Sequence, residues 1–228
     1  MALAQLEEGL KKLGLGADDR VLPLLSRYIK EIELFNPAYG LVKVKDRGEL
    51  IVKHIFDSLA PVSLIRRLLS EKSSSERPWQ IADVGSGAGL PGIPLAICIR
   101  DAEFTLIERT GRRAGFLRDA VAVLELTNIR VEEAEMETVA RLGERHFDVA
   151  VTRAFKSLDD ALTGKLFALL KQGGVIAAYK GRRQVIEEEM NRLLEFAGKA
   201  SGEILWECIP VAVPFLDEER HLVLLRYL

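Results

Sequence analysis

The segment Ile81-Ala82-Asp83-Val84-Gly85-Ser86-Gly87-Ala88-Gly89-Leu90-Pro91-Gly92 constrains the fold of this chain more than any other. A short apolar run with strand character enters a glycine-rich turn, and the turn opens a helix. Glycine lets a backbone bend sharply and approach a ligand closely, because no Cβ stands in the way. The N–H groups at the helix start then face whatever lies above the sheet edge. The segment predicts a strand–turn–helix unit of an α/β fold, with a cofactor at the turn.

Two registers compete at these residues. Gly87-x-Gly89-x-x-Gly92 fits the dinucleotide-binding fingerprint. Asp83-x-Gly85-x-Gly87-x-Gly89 fits the turn of S-adenosylmethionine-dependent methyltransferases. The apolar run ends near Val84, so residues 85–89 form the turn itself, and the dinucleotide register would delay the first glycine and enclose Pro91. Proline suits the first turn of a helix, where its missing N–H is not needed. That predicts a helix start near Leu90 or Pro91 and favours the methyltransferase register. Downstream, Phe104-Thr105-Leu106-Ile107-Glu108 is a second apolar run ending in a carboxylate. At that place an acidic side chain accepts hydrogen bonds from both ribose hydroxyls of an adenosine cofactor.

The length of 228 residues suits one domain with an appendage, and 48% hydrophobic residues suffice for a sizeable core. No apolar run approaches a membrane span. Residues 1–12 predict an amphipathic helix and not a signal peptide. Cys98 and Cys208 are far apart in apolar runs, which predicts buried thiols in a reducing, cytoplasmic setting. Three histidines without ligand spacing argue against a zinc site, and no metal is expected. Net charge is −2, so bulk charge does not announce a nucleic-acid partner. The cations are uneven, however. Lys43, Lys45, Arg47 and Lys53 precede the glycine turn, Arg109, Arg112, Arg113 and Arg118 follow the second strand, and Lys180, Arg182 and Arg183 follow a later one. Segments after the strand ends share the ligand edge of an α/β sheet, so these groups are expected to gather there.

Val21, Leu24, Leu25, Tyr28, Ile32 and Phe35 recur at helical spacing, and Asn36-Pro37 is expected to end that helix. Further helices are expected over 48–59 and 62–69. The polar stretch 71–78 reads as a linker, giving a helical extension at 1–77 and an α/β domain at 78–228. Strands are expected at 80–84, 104–108, 129–132, 147–152 and 175–179, with helices such as 111–125 and 158–170 between them. This alternation predicts a parallel sheet with helices on both faces. Residues 204–211 and 221–226 read as an antiparallel pair at one sheet edge.

The chain resembles the small-subunit (16S) ribosomal RNA guanine-N7 methyltransferase family, also called glucose-inhibited division protein B. The segments carrying the resemblance span nearly the whole chain. They include Phe35-Asn36-Pro37-Ala38-Tyr39-Gly40-Leu41, His54-x-x-Asp57-Ser58, the glycine turn with its extension Leu90-Pro91-Gly92-Ile93-Pro94, and Gly111-Arg112-Arg113. Thr152-Arg153-Ala154-Phe155, Lys180-Gly181 and Glu219-Arg220-His221 complete them. The resemblance implies a class I, Rossmann-like methyltransferase fold: a seven-stranded sheet with an antiparallel last strand, preceded by N-terminal helices. It implies methyl transfer from S-adenosylmethionine to N7 of a guanosine in 16S ribosomal RNA, within the small ribosomal subunit. Gly85, Gly87, Gly89 and Leu90 would line the cofactor, Glu108 would hold its ribose, and Arg153 would reach it from the fourth strand. Backbone contacts to the adenine would fall at Met136 and Glu137. The sequence departs from the family there, with Glu135-Met136-Glu137 in place of the usual Arg-Ala-Glu, but backbone contacts survive side-chain changes.

Guanine N7 carries a free lone pair on the major-groove edge and attacks a sulfonium methyl without first losing a proton. Such an enzyme needs no general base, and no catalytic side chain is expected; positioning supplies the rate. Lys180, Arg182 and Arg112 are expected to contact RNA phosphates, and the protein is expected to act as a monomer away from membranes. A methyltransferase for another acceptor and a non-catalytic RNA-binding assembly factor remain as alternatives. A nicotinamide dehydrogenase is weaker still, since no proton-relay group accompanies the turn.

Overall fold

A computed structural model describes residues 2–70, 78–142, 146–153, 157–197 and 204–227. Residues 71–77 of the linker expected at 71–78, and the motif residues Ala154 and Phe155, lie outside these. Seven strands form one sheet in the order β3-β2-β1-β4-β5-β7-β6. They are β1 (Trp79–Val84), β2 (Ala102–Ile107), β3 (Ile129–Glu132), β4 (Phe147–Arg153), β5 (Leu170–Lys180), β6 (Ile204–Pro210) and β7 (His221–Tyr227). β1 to β5 are parallel, and β7 runs antiparallel to both β5 and β6. The antiparallel pair expected at the sheet edge is therefore present, with its second strand inserted next to β5. Strand order reverses between β1 and β4, and that switch point opens a crevice at the carboxyl ends of the strands.

Alternate residues of each strand feed two cores, because successive side chains point to opposite faces of a sheet. Ile81, Leu106, Val149, Ala177 and Leu224 face one core; Ala82, Ile107, Ala150, Ile176 and Val223 face the other. The N-terminal helices α1 (Ala2–Lys12) and α2 (Val21–Tyr39) contribute Leu6, Leu25, Tyr28 and Ile32 to the first core. Three further helices follow β1, β2 and β3: α6 (Gly92–Cys98), α7 (Gly111–Leu124) and α8 (Met136–Leu142). The second core is closed by α9 (Asp160–Ala168) and α10 (Arg183–Ala197), through Leu166, Phe167, Ile186 and Met190.

The expected helix over 48–59 has three parts. α3 (Arg47–Leu50) passes into π-helical turns at Ile51–Phe56 and ends in one α turn, α4 (Asp57–Leu59); α5 (Val62–Ser70) follows. Asp46 caps α3 by accepting from the Glu49 N–H at 2.8 Å. The expected end of α2 at Pro37 needs correction. Pro37 falls in the last turn, where its missing N–H forfeits a single bond, and the helix continues to Tyr39. Gly40 ends it at φ 58°, a left-handed conformation that glycine adopts without strain. Asn36 ties down the next residues, its Oδ1 accepting from the Val42 N–H at 2.9 Å. β5 starts at Leu170, so the helix expected over 158–170 is shorter at both ends. Cys98 is buried and Cys208 half-buried, both as free thiols.

Tyr28 joins the helical extension to the glycine turn. Its ring is fully buried, and its hydroxyl donates to the Ala88 carbonyl at 2.6 Å. Burial pushes the phenol well above its ordinary range, so it remains a donor. Tyr28→Phe is expected to leave the Ala88 carbonyl unpaired and cost about 1–3 kcal/mol. Urea unfolding should show a lower midpoint at unchanged slope. An unchanged midpoint would remove Tyr28 as a brace.

Candidate active site

β1 ends at Val84, and the chain then turns through Gly85, Gly87 and Gly89, with φ of 73°, 58° and 87°. Side chains rarely adopt these values, so the turn is glycine-dependent at all three. The N–H groups of Gly85 and Ser86 both donate to the Ile107 carbonyl, tying the turn to the end of β2. Gly92 has another reason to lack a side chain. A Cβ there would lie 2.4 Å from Leu106 Cδ2 and 2.6 Å from Asp83 Oδ2. Its N–H donates to that Asp83 oxygen at 2.9 Å. The final glycine of the dinucleotide-like spacing is thus a packing and anchoring position. α6 begins at Gly92 with Pro91 as its cap residue, one or two residues later than expected.

Glu108 sits just past β2 and is buried, and two backbone donors fix its carboxylate. Gly87 N–H donates to Oε2 and Thr110 N–H to Oε1, each at 2.9 Å. Each oxygen keeps a further lone pair, so the carboxylate is oriented as a two-pronged acceptor. Above it opens a cleft of about 690 Å³. Gly85, Gly87, Leu90, Glu108, Met136, Glu137 and Arg153 all line this cleft. Gly89 does not; the space its Cβ would need is filled by Ile93 and Leu117. Met136 and Glu137 open α8, where backbone N–H groups have no acceptor within the helix. The Glu137 carboxylate is turned to Lys165 at 2.7 Å, which holds it below its ordinary range.

Arg153, the last residue of β4, reaches back to the N-terminal helices. Its Nη1 donates to Asp57 Oδ2 at 3.1 Å and to the Lys53 carbonyl at 3.4 Å. Its Nη2 lies 3.1 Å from His54 Nδ1. The other Asp57 oxygen accepts from Arg220 Nε at 3.0 Å. His54 and Asp57, three residues apart on one helix face, therefore grip one guanidinium together. Burial, and then Arg153, lowers the His54 pKa from 6.5 to about 4, so its imidazole is neutral. An arginine only donates, so His54 Nδ1 is the acceptor and the ring proton sits on Nε2.

The expected phosphate contacts separate. Arg182 is exposed, and Arg112 is exposed near the Tyr39 ring, 5.8 Å from its centroid. Lys180 needs correction: its side chain is 11% exposed, and its Nζ lies 2.7 Å from the buried Glu189. A lysine bound to a buried carboxylate is already neutralised and offers little to a phosphate. Among the other cations, Lys43, Arg109 and Arg113 line the cleft. Arg109 is paired with Glu135, and away from the cleft Arg47, Lys53, Arg118 and Arg183 are paired with Glu33, Glu49, Glu133 and Glu187. Sequence reasoning missed Tyr28 as a brace, and Tyr179 and Arg220 as site residues. Only the motif Glu219-Arg220-His221 signalled the last.

The parallel sheet with one reversed strand, the glycine turn and the acidic residue just past β2 define a class I S-adenosylmethionine-dependent methyltransferase fold. A Corynebacterium glutamicum protein of solved structure superposes with a TM-score of 0.55 at 13% identity, covering 88% of this chain and 90% of that one. A predicted O-methyltransferase from Agrobacterium tumefaciens does so at 0.50 with 26% identity, covering 69% and 78%. The family model described as rRNA small subunit methyltransferase G matches residues 22–221. Relatives named ribosomal RNA small subunit methyltransferase G are 35% identical in Treponema denticola (96% of this chain, 92% of the relative) and 36% identical in Acinetobacter baumannii (97% and 96%). The chain belongs to this family.

Asp83 generates a pH prediction. It is almost wholly buried, and its Oδ1 has no partner among the described residues. Burial raises its pKa from 3.8 to about 7 against the pull of the Gly92 N–H, Ser86 and Arg153. The folded protein therefore binds a proton that the unfolded chain has lost above pH 4. This contribution to stability is complete below the unfolded pKa and is lost as pH rises through about 7. Asp83→Asn keeps the acceptor for Gly92 and removes the titration. Denaturation of both proteins from about pH 4 to 8 should show wild type losing stability relative to the variant. Parallel curves would overturn the assignment.

Proposed function

We propose that this protein transfers the methyl group of S-adenosylmethionine to N7 of a guanosine in 16S ribosomal RNA. The observation that carries the reading is Glu108, fixed by the Gly87 and Thr110 amides beneath a cleft of about 690 Å³, in a chain matching the methyltransferase family over residues 22–221. The cleft fits the cofactor. Its glycine wall carries no Cβ, its floor holds a two-pronged acceptor for a pair of ribose hydroxyls, and Val84, Ala88, Leu90 and Ile107 add apolar surface.

In this reading the backbone of Gly85 and Gly87 lies against the cofactor, with Leu90 beside it and Gly89 shaping the turn from behind. Glu108 accepts from the ribose, and the Met136 and Glu137 backbone faces the adenine. Arg153 has five N–H donors, of which three go to Lys53, Asp57 and His54, so two remain for a ligand. When bound, the cofactor supplies a sulfonium methyl, and the chain's own groups hold donor and acceptor in line. Placement of this kind lowers barriers by up to about 10 kcal/mol. N7 brings its own lone pair, and His54, which lines the cleft, is held neutral as a hydrogen-bonded prop.

Residues 1–77 act as a helical extension and residues 78–228 as the methyltransferase domain. The core shared by Leu6, Leu25, Tyr28 and the sheet supports an extension whose described helices pack on the sheet's own core. Arg112 and Arg182 contact RNA phosphates. Action as a monomer in the cytoplasm belongs to the same proposal. The cytoplasmic setting is supported by the two free thiols, Cys98 and Cys208.

Labelled methyl from S-adenosylmethionine, offered to unmodified small subunits and to their stripped RNA, is expected to appear in 7-methylguanosine. Label in another nucleoside, or none, would overturn the reading. Glu108→Ala is expected to raise the cofactor dissociation constant about tenfold or more, equivalent to about 1.4 kcal/mol or more, with the fold retained. Calorimetry showing an unchanged constant would remove Glu108 from the site.

A further inference from the structure

Beside the cofactor cleft lies a second cavity of about 320 Å³. His54 and Arg153 line both, so the two spaces meet at that pair. Pro61, Tyr179 and Val211 give the second cavity apolar surface, while His54, Asp57 and Arg220 give it polar surface. The Tyr179 hydroxyl donates to the Ser58 carbonyl at 3.0 Å, which fixes its ring in the wall.

We propose that this second cavity receives the acceptor guanine base, an assignment that rests on the methyltransferase reading above. Three observations carry it. First, the cavity adjoins the cofactor cleft at Arg153, so a base inside it lies next to the place where a methyl group is offered. Second, its charges are balanced. Arg153 and Arg220 share Asp57, Arg220 also meets Glu218 at 2.9 Å, and Lys180 meets Glu189. No net positive charge is left to hold a phosphate, whereas a neutral, polar, flat ring fits between the apolar walls. Third, the polar side presents donors. Guanine shows O6 and N7 as adjacent acceptors on one edge. The His54 Nε2–H and the remaining N–H groups of Arg153 suit O6, which leaves N7 uncovered.

In the transfer, the N7 lone pair forms the new bond to the methyl carbon as the carbon–sulfur bond breaks, and that electron pair stays on sulfur. The positive charge passes from the sulfonium to the methylated guanine, and no proton moves. A neutral His54 beside the ring does not oppose the charge that develops there. A base held inside folded RNA must first be turned out of its stack to enter, at a cost of about a few kcal/mol.

The test fills the cavity without touching the cofactor cleft. Val211 lines the second cavity alone. In Val211→Trp, methyl transfer to small-subunit RNA is expected to fall about a hundredfold or more, equivalent to about 2.7 kcal/mol or more. Cofactor affinity by calorimetry should remain within about twofold, well under the tenfold that 1.4 kcal/mol represents. Val211→Phe should give an intermediate loss, and it carries the test if the bulkier variant does not fold. As an independent measurement, 16S RNA containing 6-thioguanosine, irradiated on the wild-type protein, is expected to crosslink to peptides holding Tyr179 or Pro61. Full transfer by a folded Val211→Trp, or crosslinks confined to other surfaces, would overturn the assignment. Failure of the wild type to form 7-methylguanosine would instead overturn the functional reading itself.

Discussion

One buried carboxylate shared by two guanidiniums organises the working edge of this molecule. Asp57 comes from the N-terminal helices, Arg153 ends β4, and Arg220 precedes β7. Three parts of the chain, separated by 96 and 163 residues, meet on its two oxygens. Ion pairs of this kind add little net stability compared with apolar packing, because both partners lose water. Removing one member is costly, at about 3–5 kcal/mol, because it leaves a charge buried without a partner. Asp57 therefore acts less as glue than as a device for setting positions. It fixes where Arg153 stands, and Arg153 forms the wall between the two cavities.

The glycine turn imposes a second constraint. Its left-handed residues and the missing Cβ of Gly92 let the chain pass from β1 to α6 against Leu106 and Asp83. Tyr28 supports the turn from the helical extension, and Glu108 supports it from β2. The turn's backbone is thus held by side-chain hydrogen bonds from both sides before any ligand arrives. Preorganisation of this kind lowers the ordering cost of binding.

Local features were legible in the sequence. The strands β1 to β5, the glycine turn and Glu108 announce themselves through apolar runs and spacing within a few residues. The resemblance to a family placed Met136, Glu137 and Arg153, and all three line the cleft. What was not legible depends on distance along the chain. Nothing in the sequence states that Tyr28 meets Ala88, or that Lys180 meets Glu189 rather than solvent. The end of α2 falls later than Asn36-Pro37 implies because proline's penalty depends on its place in the helix, and Pro37 stands in the last turn. Nor does the sequence state that Arg153 meets Asp57, 96 residues away, since strand order decides which carboxylate comes within reach.

The reversed last strand has a consequence for how the molecule is assembled. Parallel strands all bring their carboxyl ends to the working edge, whereas β7 brings its beginning there, with His221 opposite Lys180. Arg220 thereby enters the site without a further crossover helix. A chain synthesised from its amino end has the glycine turn, Glu108 and Arg153 in hand well before residue 220 emerges. The cofactor side is complete in sequence first, and the wall facing the second cavity needs the final strand, which lies between β5 and β6.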